Sequence, residues 1–377
     1  MGAHQRLKVG VLTSSRADYG IYRPLLGKMS EDNAFDLEVI AFGTHLMKKF
    51  GHTVDAIYED GYNVQPVHGT MSDGDSPTDI ANAMSSTIRA FADFYKEHRY
   101  DILFALGDRF EMFSAVAASV PFNVDVAHIH GGETTLGAID NSFRHSITHF
   151  SRFHFTAAED YKSRVVKMLG RRSGVYNVGA LSVDAIKNLR LLQLDELNVK
   201  YGFDISKPTI LFTFHPETIA YQRNEHHISE IINAILKLNQ YQFLITMPNA
   251  DTAGMIIRDA LIRRLAGRAN IKVIENLGSK DYLSAMKYCS FLMGNSSSGF
   301  IEASFFSKPV INLGKRQEGR IETPNIITVD IDEGSILTAT EKIDSLSGII
   351  LKPVYGNGSA ASKIIRILKN QYHLNQN

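Results

Sequence analysis

The sequence predicts an α/β protein made of two Rossmann-like, doubly wound parallel-sheet domains. Short β-rich runs alternate with helical stretches along the chain, a pattern typical of parallel strands joined by crossover helices. The alternation starts again after a polar, leucine-rich segment over residues 183–207, where we place the domain boundary. The length of 377 residues also favours two cores over one. We expect ligands to bind in an interdomain cleft, beyond the carboxyl ends of the strands.

The elements of each predicted domain can be given in chain order. In the first domain, residues 1–185, the pattern predicts strands over 8–13, 37–42, 101–106 and 124–129 and helices over 19–29 and 80–97. In the second domain, residues 186–359, it predicts strands over 208–214, 241–247, 271–275, 291–294 and 309–313 and helices over 224–238 and 252–265. Residues 360–377 contain a terminal helix, which we expect to pack back on the first domain.

The composition excludes several classes of protein. The chain has 40 Lys and Arg residues and 40 Asp and Glu residues, so it has no basic field for general binding of nucleic acid or a membrane surface. No apolar run reaches transmembrane length, and the first residues lack the apolar core of a signal peptide. The one cysteine, Cys289, favours a reducing, cytoplasmic compartment, and its apolar neighbours predict an inert packing role.

Polar loops that directly follow strands are the candidate binding sites, because they lie at the carboxyl edge of a parallel sheet. After the first strand, Arg16 can meet a phosphate or carboxylate, whereas Ser15 or Asp18 can simply cap the next helix. After the second strand, His45 either lines the cleft or is a surface imidazole. We favour a functional role for Arg16 and leave His45 open.

The loop after the strand at 101–106 has an unusual density of charge. Asp108, Arg109 and Glu111 lie within four residues. A cluster of this kind at a strand end indicates a functional site more than a solvated group of ion pairs. Asp108 is the candidate general base, or the residue that fixes a sugar hydroxyl.

A histidine-rich loop follows the next strand. Alternation along the strand predicts that His128 and His130 point to the same face, and the glycine pair after them allows backbone to approach a ligand. Zinc ligation by these histidines with Glu133 is the alternative, but no HExxH spacing or cysteine ligand supports it. Further on, Asp140 and Arg144 lie four apart on a predicted helix, either as a surface ion pair or as a catalytic acid held by arginine.

The loops of the second domain suit a phosphorylated ligand. His215 follows the first strand of that domain, where it faces the predicted cleft. Three consecutive serines from Ser296 lie between a strand and a helix, and free N–H groups and hydroxyls there bind phosphate oxygens; helix capping is the alternative. Glu302, predicted one turn inside the helix, can bind ribose hydroxyls, and Arg316, after another strand, can close over a diphosphate.

Eight segments of the chain together form a familiar set: SSRADYG, GDRFE, HIHGGE, IDNSFRHSITHF, HPET, PNAD, GNSSSGFIE and INLGKRQEGR. In this order, and over nearly the whole chain, the set resembles the bacterial hydrolysing UDP-N-acetylglucosamine 2-epimerases of sialic acid biosynthesis. The resemblance implies a GT-B-like fold and a homodimer or homotetramer. It also implies cleavage of UDP-GlcNAc to N-acetylmannosamine and UDP without a metal or a nicotinamide cofactor.

The resemblance implies roles for individual residues. It assigns UDP binding to Arg16, Arg109, His215, Asn249, Asp251, Ser296, Ser297, Glu302 and Arg316. It assigns sugar chemistry to Asp108, His130, Glu133, Asp140, Arg144 and His215. His130 stands where related non-hydrolysing epimerases carry Glu, and Asn141 stands where many relatives have a second acid. Which group takes the C2 proton therefore stays open between Asp108 and Asp140.

The implied reaction is elimination of UDP through a 2-acetamidoglucal, followed by rehydration. Three alternatives remain. The first is the same reaction on UDP-2,4-diacetamido-2,4,6-trideoxyglucose, for legionaminic acid synthesis. The second is a GT-B glycosyltransferase, and the third is a nucleotide-sugar binding protein without catalysis. The density of acid–base groups in the first domain disfavours the last two, because neither transfer to an acceptor nor binding alone requires so many carboxylates.

Overall fold

The computed structural model describes residues 6–71, 74, 76–134, 139–217, 221–248 and 254–374, except the side chain of Tyr221. By its internal contacts the chain divides into two compact units. The first unit comprises Met1–Glu133, Asp140–Asn188 and Val354–Asn377, and the second comprises Thr134–Ile139 and Leu189–Pro353. Within the described ranges, none of the helices is long and apolar enough to cross a lipid bilayer.

The first unit alternates strands and helices as the sequence predicts. Its strands are β1 (Leu7–Thr13), β2 (Phe35–Ala41), β3 (Val64–Pro66), β4 (Ile102–Leu106), β5 (Asp125–Ile129), β6 (Phe153–Thr156) and β7 (Val175–Asn177). Its helices are α1 (Arg16–Ser30), α2 (Asp55–Glu59), α3 (Pro77–Glu97), α4 (Phe110–Ser119), α5 (Asp140–Phe150), α6 (Glu159–Leu169), α7 (Leu181–Asn188) and, at the chain end, α14 (Ala360–Gln371).

The second unit repeats the alternation. Its strands are β8 (Thr209–Thr213), β9 (Gln242–Thr246), β10 (Ile271–Ile274), β11 (Phe291–Gly294), β12 (Val310–Leu313) and β13 (Ile326–Val329). Its helices are α8 (Leu194–Tyr201), α9 (Asn224–Lys237), α10 (Gly254–Leu265), α11 (Gly278–Tyr288), α12 (Glu302–Phe305) and α13 (Glu333–Lys342). Four short strands, β3, β6, β7 and β13, were not predicted, because three or four residues carry too little periodicity to distinguish a strand from a loop.

Both sheets are parallel and doubly wound. The seven-stranded sheet has the order β3-β2-β1-β4-β5-β6-β7, and the six-stranded sheet has the order β10-β9-β8-β11-β12-β13. In each unit the order reverses next to the first strand, between β1 and β4 and between β8 and β11. These reversals put two strand-end loops side by side, which is where ligands bind in open α/β sheets. The predicted fold class of two Rossmann-like parallel sheets is confirmed.

Each sheet is buried on both faces, which explains the apolar runs in its central strands. In the first unit, Val9 and Val11 of β1 belong to a core that also contains Tyr22 of α1. The terminal helix α14 adds Ile364 and Leu368 to the same core. Burial of helices against both faces stabilises the sheet.

A carboxylate fixes the start of the terminal helix. Asp184, in the first turn of α7, accepts the backbone N–H of Ala360 at 2.9 Å and that of Ala361 at 2.8 Å. These are among the N–H groups that a helix start leaves without an internal partner. The negative charge of the carboxylate also interacts favourably with the positive end of the helix dipole. The contact anchors α14 to α7 although 176 residues separate Asp184 from Ala360.

Candidate active site

The first strand-end cluster centres on Arg144. Asp108 follows β4 directly, after Gly107, whose φ of +76° is readily adopted only by glycine. Arg144 lies on α5 with its side chain 3 % exposed, and its Nη2 donates to Oδ2 of Asp108. We predicted that Arg144 holds Asp140, its neighbour on the helix. In the structure it binds the carboxylate of Asp108, 36 residues away, because α5 packs against α4 and β5 and so brings Arg144 to the loop between β4 and α4.

Arg144 reaches the histidine loop as well. Its Nη1 donates to the backbone carbonyl of His130 at 2.8 Å and lies 3.8 Å from Oε2 of Glu133. Nδ1 of His130 lies 2.5 Å from Oε1 of Glu133. One guanidinium therefore connects Asp108 to the pair formed by His130 and Glu133. All of these residues were predicted for sugar chemistry, and the structure brings them together within the first unit.

The two histidines of the loop have different environments. His130 comes after the last residue of β5 and has φ of +64°, so strand alternation does not extend to it and the expectation of a shared face is wrong. His128 lies within β5 and is fully buried. Its Nε2 donates to the Gly107 carbonyl at 2.8 Å, and its Nδ1 lies 3.1 Å from the Thr148 hydroxyl.

His128 links the loop after β4 to α5 through its two ring nitrogens. Burial lowers its pKa to about 4, so the ring is neutral and both nitrogens are used in hydrogen bonds to protein. The described residues contain no group of three or more His, Cys, Asp or Glu side chains placed to hold a metal ion. Because Gly107 precedes Asp108 and Thr148 lies one turn after Arg144, His128 helps to fix both partners of that ion pair.

Arg109 and Glu111 form a separate pair beside Asp108. Arg109 Nη2 lies 3.2 Å from Glu111 Oε1, and the Glu111 side chain is almost fully buried. Burial raises the pKa of Glu111, and the nearby Arg109 guanidinium opposes that shift. Of the three charged groups that we noted in this loop, Glu111 therefore lies in the interior. Asp140 is the first residue of α5 and is partly buried.

The loop after β1 caps the helix that follows it. Ser15 caps α1, and Asp18 accepts hydrogen bonds from the backbone of Ser14 and Ser15 at 3.0 and 3.1 Å, so the capping interpretation is confirmed. Arg16 is the first residue of the helix and is exposed. The expectation of a surface imidazole at His45 is wrong, because its ring is fully buried and burial lowers its pKa to about 4.

In the second unit, three strand-end loops are tied together by side chains bonded to backbone. Asn295 accepts the N–H of His215 at 2.7 Å and donates to the His215 carbonyl at 2.8 Å. Gln317 donates to the Asn295 carbonyl at 2.8 Å, and Glu217 accepts the N–H of Lys315 at 3.0 Å. The loops after β8, β11 and β12 are thus one connected structure, and it holds His215 in a buried position.

Sequence reasoning missed the residues that make these connections. Asn295, Gln317 and Glu217 lie inside or next to the quoted motifs, yet we assigned functions only to their neighbours. The available signal was their residue type, since an amide or carboxylate between apolar strand residues and small loop residues needs a hydrogen-bond partner. The partner itself depends on the pairing of β8 with β11 and of β11 with β12.

The serine loop forms a 3₁₀ turn before the next α-helix begins. Ser296 Oγ accepts the N–H of Ser298 at 3.4 Å and caps a 3₁₀ turn over Ser297–Gly299. The hydroxyl of Ser298 lies 2.7 Å from that of Tyr282, whose pKa burial raises to about 12. The α-helix begins only at Glu302, so Glu302 is its first residue and the prediction that it lies one turn inside is wrong. Serine side chains compete for backbone groups, which favours this tight turn.

Arg316 is partly buried in the loop after β12, next to Gln317. Asn249 and Asp251, in the segment after β9, lie outside the described residues. Cys289, by contrast, is buried with its Sγ 3.3 Å from the Met286 carbonyl, and burial raises the pKa of the thiol to about 12. The predicted inert packing role of Cys289 is confirmed.

Known structures share this architecture. The crystal structure of UDP-GlcNAc 2-epimerase from Neisseria meningitidis bound to UDP-GlcNAc aligns with a TM-score of 0.83 over 97 % of this chain and 100 % of that chain, at 18 % sequence identity. At that identity the likeness concerns the fold. Together with the two doubly wound sheets, it defines the chain as a GT-B-like α/β protein.

The sequence comparisons define the family. The family model described as UDP-N-acetylglucosamine 2-epimerase matches residues 27–369, and the chain belongs to this family. Polysialic acid biosynthesis protein P7 of Escherichia coli is 34 % identical over 96 % of this chain and 94 % of that protein. GDP/UDP-N,N'-diacetylbacillosamine 2-epimerase (hydrolyzing) of Campylobacter jejuni is 33 % identical over 90 % of this chain and 88 % of that protein.

Proposed function

We propose that this protein is a hydrolysing UDP-N-acetylglucosamine 2-epimerase, which converts UDP-GlcNAc and water to N-acetylmannosamine and UDP. The observation that carries the proposal is the cluster around Arg144, whose guanidinium binds the carboxylate of Asp108 and the backbone carbonyl of His130 and so brings together two residues capable of proton transfer. Inversion at C2 removes a proton from one face of the sugar and returns one to the other face. A site for this reaction therefore needs two acid–base groups.

The chemistry divides into two balanced steps. In the elimination, a base takes the C2 proton, the C1=C2 double bond forms, and the C1–O bond breaks with its electrons on UDP. In the addition, water supplies hydroxyl to C1 while a proton enters C2 from the opposite face. Asp108 is the proposed base of the first step, with Asp140 as its alternative. Net proton release accompanies the formation of UDP.

The leaving diphosphate needs donors that are already in place, since charge develops on it during the elimination. We propose that the second unit supplies most of them, from the connected loops after β8, β11 and β12. The full set proposed to bind UDP is Arg16, Arg109, His215, Asn249, Asp251, Ser296, Ser297, Glu302 and Arg316. Hydrogen bonds that fix His215 through Asn295 support a preorganised site.

A second substrate is also supported. The Campylobacter relative is named for a diacetylbacillosamine, and its identity of 33 % is close to the 34 % of the polysialic acid protein. We therefore propose UDP-2,4-diacetamido-2,4,6-trideoxyglucose as the alternative substrate. Parallel assays with equal concentrations of the two nucleotide sugars decide between them by their ratio of kcat/KM.

The test of the reaction uses purified protein in heavy water with NMR detection. We expect UDP, N-acetylmannosamine and one deuterium at C2. Release of GlcNAc, or a product with only protium at C2, contradicts the elimination mechanism. Asp108→Asn is expected to lower kcat by about 100-fold or more, and Asp93→Asn, at an exposed position on α3, serves as the matched control.

Cellular context and assembly complete the proposal. We propose a cytoplasmic homodimer or homotetramer that supplies N-acetylmannosamine for sialic acid synthesis. The unpaired buried thiol of Cys289 is consistent with a reducing compartment. Sedimentation velocity at several protein concentrations tests the assembly, and a monomer at all of them contradicts it.

A further inference from the structure

We propose that His130 and Glu133 act as one unit, in which Nε2 of His130 delivers the proton to C2 and Glu133 is a positioning residue that acts through the imidazole. The inference rests on the proposed function and deepens it. It separates Glu133 from the residues expected to touch the sugar. It also names the atom that gives a proton to the second face of C2, after Asp108 has removed one from the first face.

The backbone of the loop creates the pair. His130 has φ of +64°, which turns its side chain out of the strand pattern of β5. Gly132 has φ of +80°, and a Cβ at that position would lie 2.3 Å from the Tyr161 carbonyl oxygen. Only glycine fits that approach, so the chain turns back and brings Glu133 against the ring of His130. The resulting contact is 2.5 Å between Nδ1 and Oε1.

The contact fixes which ring nitrogen carries the proton. A carboxylate only accepts hydrogen bonds, so Nδ1 of His130 donates to Glu133 and the neutral ring has its lone pair on Nε2. Nε2 is buried and has no hydrogen-bond partner within the described parts of the chain. A buried polar atom without a partner is costly and indicates a missing ligand. Nε2 is therefore open to exchange a proton with a substrate carbon or with water.

Charged and titratable groups from several elements lie near the His130 imidazole. Four groups face or adjoin His130: Glu133 on its own loop, Arg144 on α5, Asp108 after β4 and the neutral His128 in β5. Arg144 also lies 3.8 Å from Glu133, so it helps to keep that carboxylate in place.

The step can be written with its atoms balanced. Asp108 holds the proton from C2 after the elimination, and UDP has left with the electrons of the C1–O bond. The His130 imidazolium gives its Nε2 proton to C2 of the glycal while the oxygen of water bonds to C1. The proton lost by that water returns to Nε2, and Asp108 releases its proton to solvent. One proton per turnover is released overall, with UDP.

The kinetic test compares His130→Gln with Glu133→Gln. We expect His130→Gln to lower kcat by roughly 100-fold or more and to release UDP together with unsaturated sugar, because the elimination remains possible. Glu133→Gln should lower kcat with little change in KM and move the alkaline limb of the kcat–pH profile to lower pH, since His130 donates as an imidazolium that has lost its counter-charge. Glu133→Asp should restore part of the rate. An unmoved limb, or a kcat within twofold of wild type for His130→Gln, overturns the proposal.

A second measurement needs no turnover and separates this inference from the proposed function. Nitrogen-15 NMR of the labelled protein reports the tautomer of each histidine, and the spectrum of His130→Gln identifies the His130 signals by their loss. We expect the uncommon Nδ1–H tautomer for neutral His130. The Nε2–H tautomer overturns the inference even if the enzyme epimerises its substrate. His149→Gln, at an exposed position on α5, is the control for folding.

Discussion

The side-chain amide of Asn295 pairs with the backbone of His215, accepting its N–H at 2.7 Å and donating to its carbonyl at 2.8 Å. Both residues are buried. Beyond the ends of β8 and β11, this amide makes the two hydrogen bonds that a paired strand would otherwise make. The hydrogen bonding between the two strands therefore continues into their loops. A side chain thus holds the proposed diphosphate ligand His215 in register with the serine loop.

Replacement of Asn295 by Asp tests this arrangement with an almost unchanged shape. A carboxylate cannot donate, so the His215 carbonyl is left without its partner, at a cost of about 1–3 kcal/mol. We expect a lower melting temperature and weaker binding of UDP in calorimetric titration. Asn33→Asp, at an exposed position before β2, should change neither. Unchanged UDP affinity in Asn295→Asp contradicts a role of this pair in the nucleotide site.

Replacement of Arg144 by Lys tests the central ion cluster. An ammonium cannot serve Asp108, the His130 carbonyl and Glu133 together, because it lacks the planar fork of a guanidinium. The unpaired carbonyl alone predicts a loss of about 1–3 kcal/mol in stability, and kcat should fall as well. Adding Asp108→Asn to Arg144→Lys should cost less than the sum of the separate losses.

The two single substitutions and their combination form a double-mutant cycle, in which kcat and the melting temperature are both measured. Strict additivity of the two substitutions would show that Arg144 and Asp108 act independently, against the structure. Arg172→Lys, at an exposed position after α6, controls for the change of residue type.

Buried histidines predict a loss of stability in mild acid. Burial lowers the pKa to about 4 for His45 and His128 and to about 3 for His154, from an ordinary value of 6.5. Above pH 6.5 the three rings are neutral in both the folded and the unfolded chain. Between pH 6.5 and 4 the unfolded chain binds protons that the folded chain does not, so stability falls by about 1.4 kcal/mol per pH unit for each proton.

Proton uptake on unfolding can be measured by following urea transitions between pH 7 and 4. His154→Asn should reduce the slope of unfolding free energy against pH, whereas His149→Asn at the surface should leave it unchanged. A wild-type slope near zero over this interval would mean that these rings are not held neutral.

Glycine at the end of β11 is predicted to be essential for the nucleotide site. Gly294 has φ of +139°, and an added Cβ would lie 1.9 Å from the Thr213 carbonyl oxygen. Gly294→Ala must therefore separate the ends of β8 and β11, and we expect a large loss of UDP affinity. Gly27→Ala is the matched control, since Gly27 lies in α1 and a Cβ added there would have no neighbouring atom within 4 Å. The control should raise stability by about 0.5–1 kcal/mol. Equal effects of the two substitutions would contradict the steric argument.

The main strands and helices could be predicted from local sequence because periodicity depends on near neighbours along the chain. β1, β4, β5, β8 and β11 lie within about two residues of their predicted limits. The strand-end residues Asp108, His130 and His215 followed from the same pattern, since every strand of a parallel sheet ends at one edge. The family resemblance likewise needed only the order of the motifs.

Contacts between distant loops could not be predicted from local periodicity. The sequence suggested Asp140 as the partner of Arg144, four residues away on one helix, but the guanidinium binds Asp108 in another loop. The positive φ of His130 breaks the alternation of its strand. Asn295 forms hydrogen bonds with His215, which lies 80 positions earlier in the chain.

The sequence by itself determined the alternating elements, the two parallel sheets and the residue types at each strand end, because these follow from local periodicity and composition. Only the tertiary structure decided which acid meets Arg144, which nitrogen of His130 is left open and what holds His215. Those outcomes depend on strand register, helix packing and a few positive φ angles, which bring together atoms that are far apart in the chain.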